Sequence, residues 1–218
     1  MKNIFIFLFL VSTVVYADCP EDMVRIDNFC IDRYEAPNIR GQIPFVAQTA
    51  TDGEEWCQRH GKNLCTENQW LRTCRGDENR ISPYGNSFIP GKCNNNKKWI
   101  RPNWPKVLLF PFKLEGLLEV NRLNQADPSG LNEECKTPEG VYDLGGNTTE
   151  WVSKSNINST RHQHLMMGCY WVGCYNSGTR KKVKGGCLAI NPAHSGIRGK
   201  FRTYEAGFRC CKDLPTFQ

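Results

Sequence analysis

Gly140-Val141-Tyr142-Asp143-Leu144-Gly145-Gly146-Asn147-Thr148-Thr149-Glu150-Trp151-Val152 is the stretch on which the reading of this chain turns. Taken alone it is an acidic, glycine-rich turn, and Asn147-Thr148-Thr149 is a glycosylation sequon. On its N-terminal side, residues 75–140 are rich in Gly, Pro and Asn. Asn94-Asn95-Asn96 and Pro102-Asn103-Trp104-Pro105 read as loop. Leu108 to Val120 is more apolar, but Pro111 and Gly116 break it, so a loop with one short helix or strand is expected. On the C-terminal side, Leu165 to Trp171 suits a buried strand. Arg180-Lys181-Lys182-Val183-Lys184 reads as a solvated basic loop, and Ala206 to Cys211 as a final strand.

Further out, two helices carry start signals. Thr51 and Glu54 form a possible capping box ahead of Trp56 and Cys57, with Gly61 just past the end. Thr66 and Gln69 form a second box, with Trp70, Leu71 and Cys74 on one side and Gly76 as the stop. Asp18 to Asn38 alternates in places as short strands do, and Cys19 and Cys30 bracket it. Many short elements and few long periodic ones fit an α+β domain with much irregular structure.

The chain has 218 residues and twelve cysteines, an even, high number that implies an oxidising compartment and a disulfide framework. Lys2, the apolar run Ile4 to Val15 and Ala17 read as a secretory signal over residues 1–17, leaving a single domain over 18–218, secreted or periplasmic. The apolar run is too short for a transmembrane anchor. The charge of +6 is too small and scattered to argue for nucleic acid.

Several ordered segments resemble the sulfatase-modifying-factor family, whose founding activity is the formylglycine-generating enzyme. They are Tyr34-Glu35-Ala36-Pro37-Asn38, the run Gly61-Lys62-Asn63-Leu64-Cys65-Thr66-Glu67-Asn68-Gln69-Trp70, Pro83-Tyr84-Gly85, the stretch quoted above, and Gly207-Phe208-Arg209-Cys210. The resemblance implies a disulfide-rich α+β domain with low regular secondary structure, a variant of the C-type-lectin-like fold. It implies the bridges Cys57–Cys210 and Cys74–Cys187. Spacing adds Cys19–Cys30 and Cys93–Cys135, and adjacency to an implied bridge adds Cys65–Cys211. It also implies a structural calcium at Asp143, Gly146, Thr148 and Glu150, with Asn94 and Asp127 as candidates for a second.

Cys169 and Cys174 remain. Formylglycine formation uses two nearby thiolates that bind Cu(I) and oxidise a cysteine of a sulfatase-type client, and soft thiolates suit that metal. The C-x4-C spacing is present, but the family's catalytic positions, read without a gap, fall on Val172 and Ser177. Cys169 and Cys174 are therefore either a displaced copper pair or a sixth structural disulfide. The family's aromatic before the acid of the Gly-Asn motif is Thr149 here. Gly168-Cys169-Tyr170-Trp171-Val172-Gly173 is closer to exported relatives that lack the catalytic pair, and Tyr170, Trp171 and Tyr175 would then meet a peptide, glycan or partner protein. His162 and His164 could share a strand face, but no third zinc ligand stands at a recognisable spacing.

Overall fold

The computed structural model describes residues 18–155, 163–176, 181–191 and 200–215. The signal segment 1–17, His162, Ser177, Arg180 and a second glycosylation sequon, Asn158-Ser159-Thr160, lie outside these residues. The alternation near the N-terminus becomes the hairpin β1 (Met23–Ile26) and β2 (Phe29–Asp32), tied by Cys19–Cys30. Helix α1 (Ala50–Arg59) follows, then the short β3 (Asn63–Leu64) and α2 (Glu67–Arg75).

Helix α2 starts where Thr66 and Gln69 place it: the Thr66 side chain accepts from the Gln69 N–H, and the Gln69 side chain closes the box. The box of α1 lies two residues earlier than Thr51 and Glu54. Thr49 accepts from the Asp52 N–H, and the Asp52 carboxylate accepts from the Thr49 N–H. Tertiary contacts fix that start, because Gln48 donates its N–H to Ala206 and accepts from Trp151 Nε1.

The loop with one short helix or strand expected over 108–120 is a turn through Pro111 that leads into α4 (Leu114–Leu123), and with α3 (Trp104–Val107) before it the segment forms a helical hairpin. Gly116 lies inside α4 and breaks nothing. A Cβ there would stand 2.4 Å from the Phe110 amide nitrogen, so its lack of a side chain lets the turn pack on the helix.

The remaining strands are β4 (Thr149–Ser153), β5 (His164–Met167), β6 (Tyr175–Asn176), β7 (Lys181–Lys182), β8 (Ile190–Asn191), β9 (Ala206–Phe208) and β10 (Cys210–Asp213), with a 3-10 turn at Gly186–Leu188. They form a sheet of order β1-β2-β10-β3, a second of order β8-β5-β4-β9, and the small pair β6-β7. All pairings are antiparallel except β4 with β9. The expected final strand thus divides at Arg209, where the chain passes from one sheet to the other.

Between the sheets Trp70 packs with Ile31, Leu144, Val152 and Met167, and Trp151 with Phe208 and Met166. Six disulfides stitch this core: Cys19–Cys30, Cys57–Cys210, Cys65–Cys211, Cys74–Cys187, Cys93–Cys135 and Cys169–Cys174. On the chain-entropy view the separations of 153, 146 and 113 residues contribute about 5 kcal/mol each, and the separation of 5 about 2. This density of bridges marks an oxidising, extracytoplasmic setting. No helix among the described residues is long and apolar enough to cross a membrane.

Candidate functional site

Strand β5 is followed by Gly168, which turns with φ +80 while the Trp70 ring closes the space a Cβ would need. The chain then folds into a clasp from Cys169 to Cys174. The Tyr170 N–H donates to the Gly173 carbonyl at 3.2 Å, the Gly173 N–H returns a bond at 2.9 Å, and the disulfide closes the base. Trp171 fastens the clasp to the quoted motif: its N–H donates to Asn147 O and its carbonyl accepts from the Lys97 N–H. Both cysteines are 0% exposed and pack against Ala189, with Phe88 and Val183 beside them.

This arrangement bears directly on the copper reading. A bonded sulfur lacks the thiolate charge that a soft cation binds. Burial leaves no approach to either atom. As bonded, Cys169 and Cys174 do not fit copper. Val172, onto which the ungapped resemblance places a catalytic position, is buried beside Val107, Leu123, Trp171 and Tyr204.

The aromatic surface differs from the expected one. Trp171 is 0% exposed and belongs to the core, while Tyr170 and Tyr175 are half-buried with ring centroids 6.2 Å apart. The Tyr170 and Tyr204 phenols are neighbours, and the Trp99 side chain lies beside Tyr204. Burial raises both phenols, so they stay protonated across the physiological range. Tyr204 stacks obliquely with Trp171 and, at 5.9 Å, with Trp104. An open cleft of about 600 Å³ is lined by Trp99, Arg101, Pro102, Asn103, Trp104 and Pro105. By composition this run is loop; the signal for the cleft is two tryptophans flanking an arginine on a proline-stiffened segment.

The motif residues meet in a buried polar network. The Glu35 carboxylate accepts from Asn147 Nδ2 at 2.6 Å, the Thr148 N–H at 2.8 Å and Thr148 Oγ1 at 2.6 Å. Glu150 accepts from Trp70 Nε1 at 2.7 Å and, through both oxygens, from Arg209 at 2.6 and 2.7 Å. Arg209, 0% exposed, also donates to the Asp32 and Tyr142 carbonyls. Asp143 accepts from the Gly130 N–H at 2.8 Å. Burial pushes Asp143 up to about 7, against the opposing pull of that bond and of Arg209. Burial, then the charges of Asp143 and Glu150, raises Glu35 well above the usual carboxylate range.

Calcium was expected at Asp143, Gly146, Thr148 and Glu150. Both Glu150 oxygens are committed to Arg209 and Trp70, and the cation beside Glu150 is a guanidinium. Asn94 and Asp127 do meet around Asn147, which accepts from Asn94 Nδ2 and from the Asp127 N–H. The Asp127 carboxylate, however, is held by Lys97 Nζ and Asn132 Nδ2. The Glu150 carboxylate is thus committed elsewhere, while the buried Asn94 Oδ1 has no hydrogen-bond partner. Among the described residues no group of three His, Cys, Asp or Glu side chains could hold a metal.

Asn147 is buried and donates to Glu35, so its sequon is structural. His164 pairs with Glu54 at 2.7 Å. Asp52 sits in the first turn of α1, where a carboxylate suits the helix dipole, and pairs with Arg202.

A profile of the "Sulfatase-modifying factor enzyme 1-like domain" matches residues 33–214. The chain belongs to that family. Among curated proteins, the "Uncharacterized protein YfmG" of Bacillus subtilis is 27% identical over 176 residues, 77% of this chain and 35% of that protein. The "Inactive C-alpha-formylglycine-generating enzyme 2" of Bos taurus is 26% identical over 132 residues, 60% of this chain and 39% of that protein. The chain thus spans 35–39% of the length of these relatives. Among solved structures, PvdO from Pseudomonas aeruginosa superposes with a TM-score of 0.54 at 16% identity, covering 85% of this chain and 80% of that one, a likeness of fold. The sulfatase-modifying-factor motifs here are cross-braces between sheets: four of the five segments that carried the resemblance contribute to the Glu35–Asn147 and Trp70–Glu150–Arg209 contacts.

Proposed function

We propose that this domain is a non-catalytic binding module built on the sulfatase-modifying-factor scaffold and exported to the periplasm or the outside of the cell. The observation that carries the reading is the closed, fully buried Cys169–Cys174 bridge, with Val172 at one of the positions where the oxidases of the family keep a cysteine. A relative named as inactive shows that the scaffold also occurs without the oxidase activity. The ligand-facing surface is the cleft at Trp99, Arg101 and Trp104, with Tyr170 and Tyr175 as the partly exposed aromatics of the adjoining clasp. Flat indole faces beside a guanidinium suit a glycan or an extended peptide.

Turnover tests this reading. The protein is incubated with Cu(I), dioxygen, reductant and a cysteine-containing sulfatase-type peptide, and the peptide is followed by mass spectrometry. No conversion is expected. Conversion of the peptide cysteine to formylglycine, lost in a Cys169→Ser/Cys174→Ser variant, would establish the oxidase instead.

A further inference from the structure

The hairpin of α3 and α4 is apolar on both faces. Gly116, Glu119, Val120 and Leu123 are the buried face of α4, at i, i+3, i+4 and i+7. Leu114, Leu117 and Leu118 take the opposite pole, where a water-facing helix carries polar residues, yet Leu114 is 66% and Leu118 59% exposed. The preceding turn adds Leu108 and Phe112, the latter 85% exposed. Eight of the twelve exposed large hydrophobic side chains among the described residues lie between Trp99 and Leu118, which marks the hairpin as a contact surface.

The charges around it say what covers it. Lys98, Arg101, Lys106 and Lys113 are exposed, and Glu115 is the one exposed acid from 98 to 118. Among the described residues none of the four bases is in an ion pair. Lys106 and Lys113 bracket the apolar turn Leu108 to Phe112, and Trp104 begins α3. Apolar tips set among lysines that can extend toward phosphates, with an aromatic at the boundary, are the chemistry of a bilayer interface. Helix α4 has ten residues, about 15 Å of rise, far short of a hydrocarbon core of about 30 Å, so it lies in the interface.

We propose that the α3–α4 hairpin seats the protein peripherally on an anionic phospholipid surface. Phe112, Leu108 and the Leu114, Leu117 and Leu118 face enter the acyl boundary, and Lys106 and Lys113 meet headgroup phosphates.

Cosedimentation of the full chain with vesicles of phosphatidylcholine alone, or mixed with phosphatidylglycerol, tests this. Binding is expected on the anionic vesicles and to weaken in 0.5 M salt. Phe112→Ser/Leu118→Ser should lower the partition by about 100-fold. Lys106→Gln/Lys113→Gln should lower it by about 30-fold at low salt. All four positions face solvent, so thermal unfolding should stay within a few degrees of the parent and separate lost binding from lost fold. Three results would overturn the proposal. One is no binding to anionic vesicles. Another is binding that all these variants retain, which would place it in residues 1–17 or another face. The third is concentration-dependent self-association abolished by Phe112→Ser in a chain that ignores vesicles.

Discussion

Arg209→Met should be among the most costly single substitutions in the molecule. The guanidinium makes two bonds to Glu150, at 2.6 and 2.7 Å, and donates to the carbonyls of Asp32 and Tyr142 at 3.2 and 2.9 Å. Methionine fills much of the volume and restores none of these bonds. Glu150 keeps only Trp70 Nε1, and the buried carboxyls Glu35, Asp143 and Glu150 lose the one cation among them. Removing one partner of a buried pair costs about 3–5 kcal/mol. Two orphaned carbonyls, at about 1 kcal/mol each, bring the total to about 5–7 kcal/mol. At 2–4 °C per kcal/mol for a chain of this size, the midpoint should fall by about 10–30 °C. The assay is thermal and urea unfolding with disulfides intact, at pH 5 and pH 8. Without the cation the buried carboxyls hold their protons to higher pH, so the deficit should shrink at pH 5. Arg209→Met/Glu150→Leu should recover part of the loss. A deficit below about 1 kcal/mol, equal at both pH values, would refute the buried-pair account.

Further outcomes follow from the same contacts. Asp143 has a folded pKa of about 7 against about 3.9 unfolded, so its stabilisation is full below pH 4 and lost as pH rises toward 7. At about 1.4 kcal/mol per unit the parent should be several kcal/mol more stable at pH 5 than at pH 8, and Asp143→Asn should flatten that slope in urea titrations. Cys169→Ala/Cys174→Ala should cost about 2 kcal/mol, against about 5 for Cys57→Ala/Cys210→Ala, because the loops closed are 5 and 153 residues. Gly116→Ala gains helix propensity, but its Cβ meets the Phe110 backbone at 2.4 Å, so a net loss of about 1–3 kcal/mol is expected by calorimetry.

What the sequence made legible was local or carried by ordered motifs. Helix α2 was readable because its box, Thr66 with Gln69, closes within four residues. The same spacing occurs twice near α1, and the choice of Thr49 over Thr51 is made by Ala206 and Trp151, more than 100 residues away. Gly116 reads as a breaker in one dimension and is a contact in three. Trp171 reads as a surface aromatic because it stands beside Tyr170 in a glycine-bounded run, but the bonds of its backbone to Asn147 and Lys97 draw the clasp inward. The Glu150–Arg209 pair, 59 residues apart, could not be read from spacing, so Glu150 was assigned to calcium. Trp99 and Trp104 sat in Pro- and Asn-rich sequence, whose composition signals loop and says nothing of the cleft between them.

The most direct test of the central claim is a peptide map of the unreduced protein, repeated across a graded reductant series with Cu(I) present. The account predicts a Cys169–Cys174 peptide that survives mild reduction alongside Cys57–Cys210 and Cys74–Cys187, with no copper taken up. Selective opening of Cys169–Cys174 while the other five bridges hold, with one copper bound per chain, would contradict it.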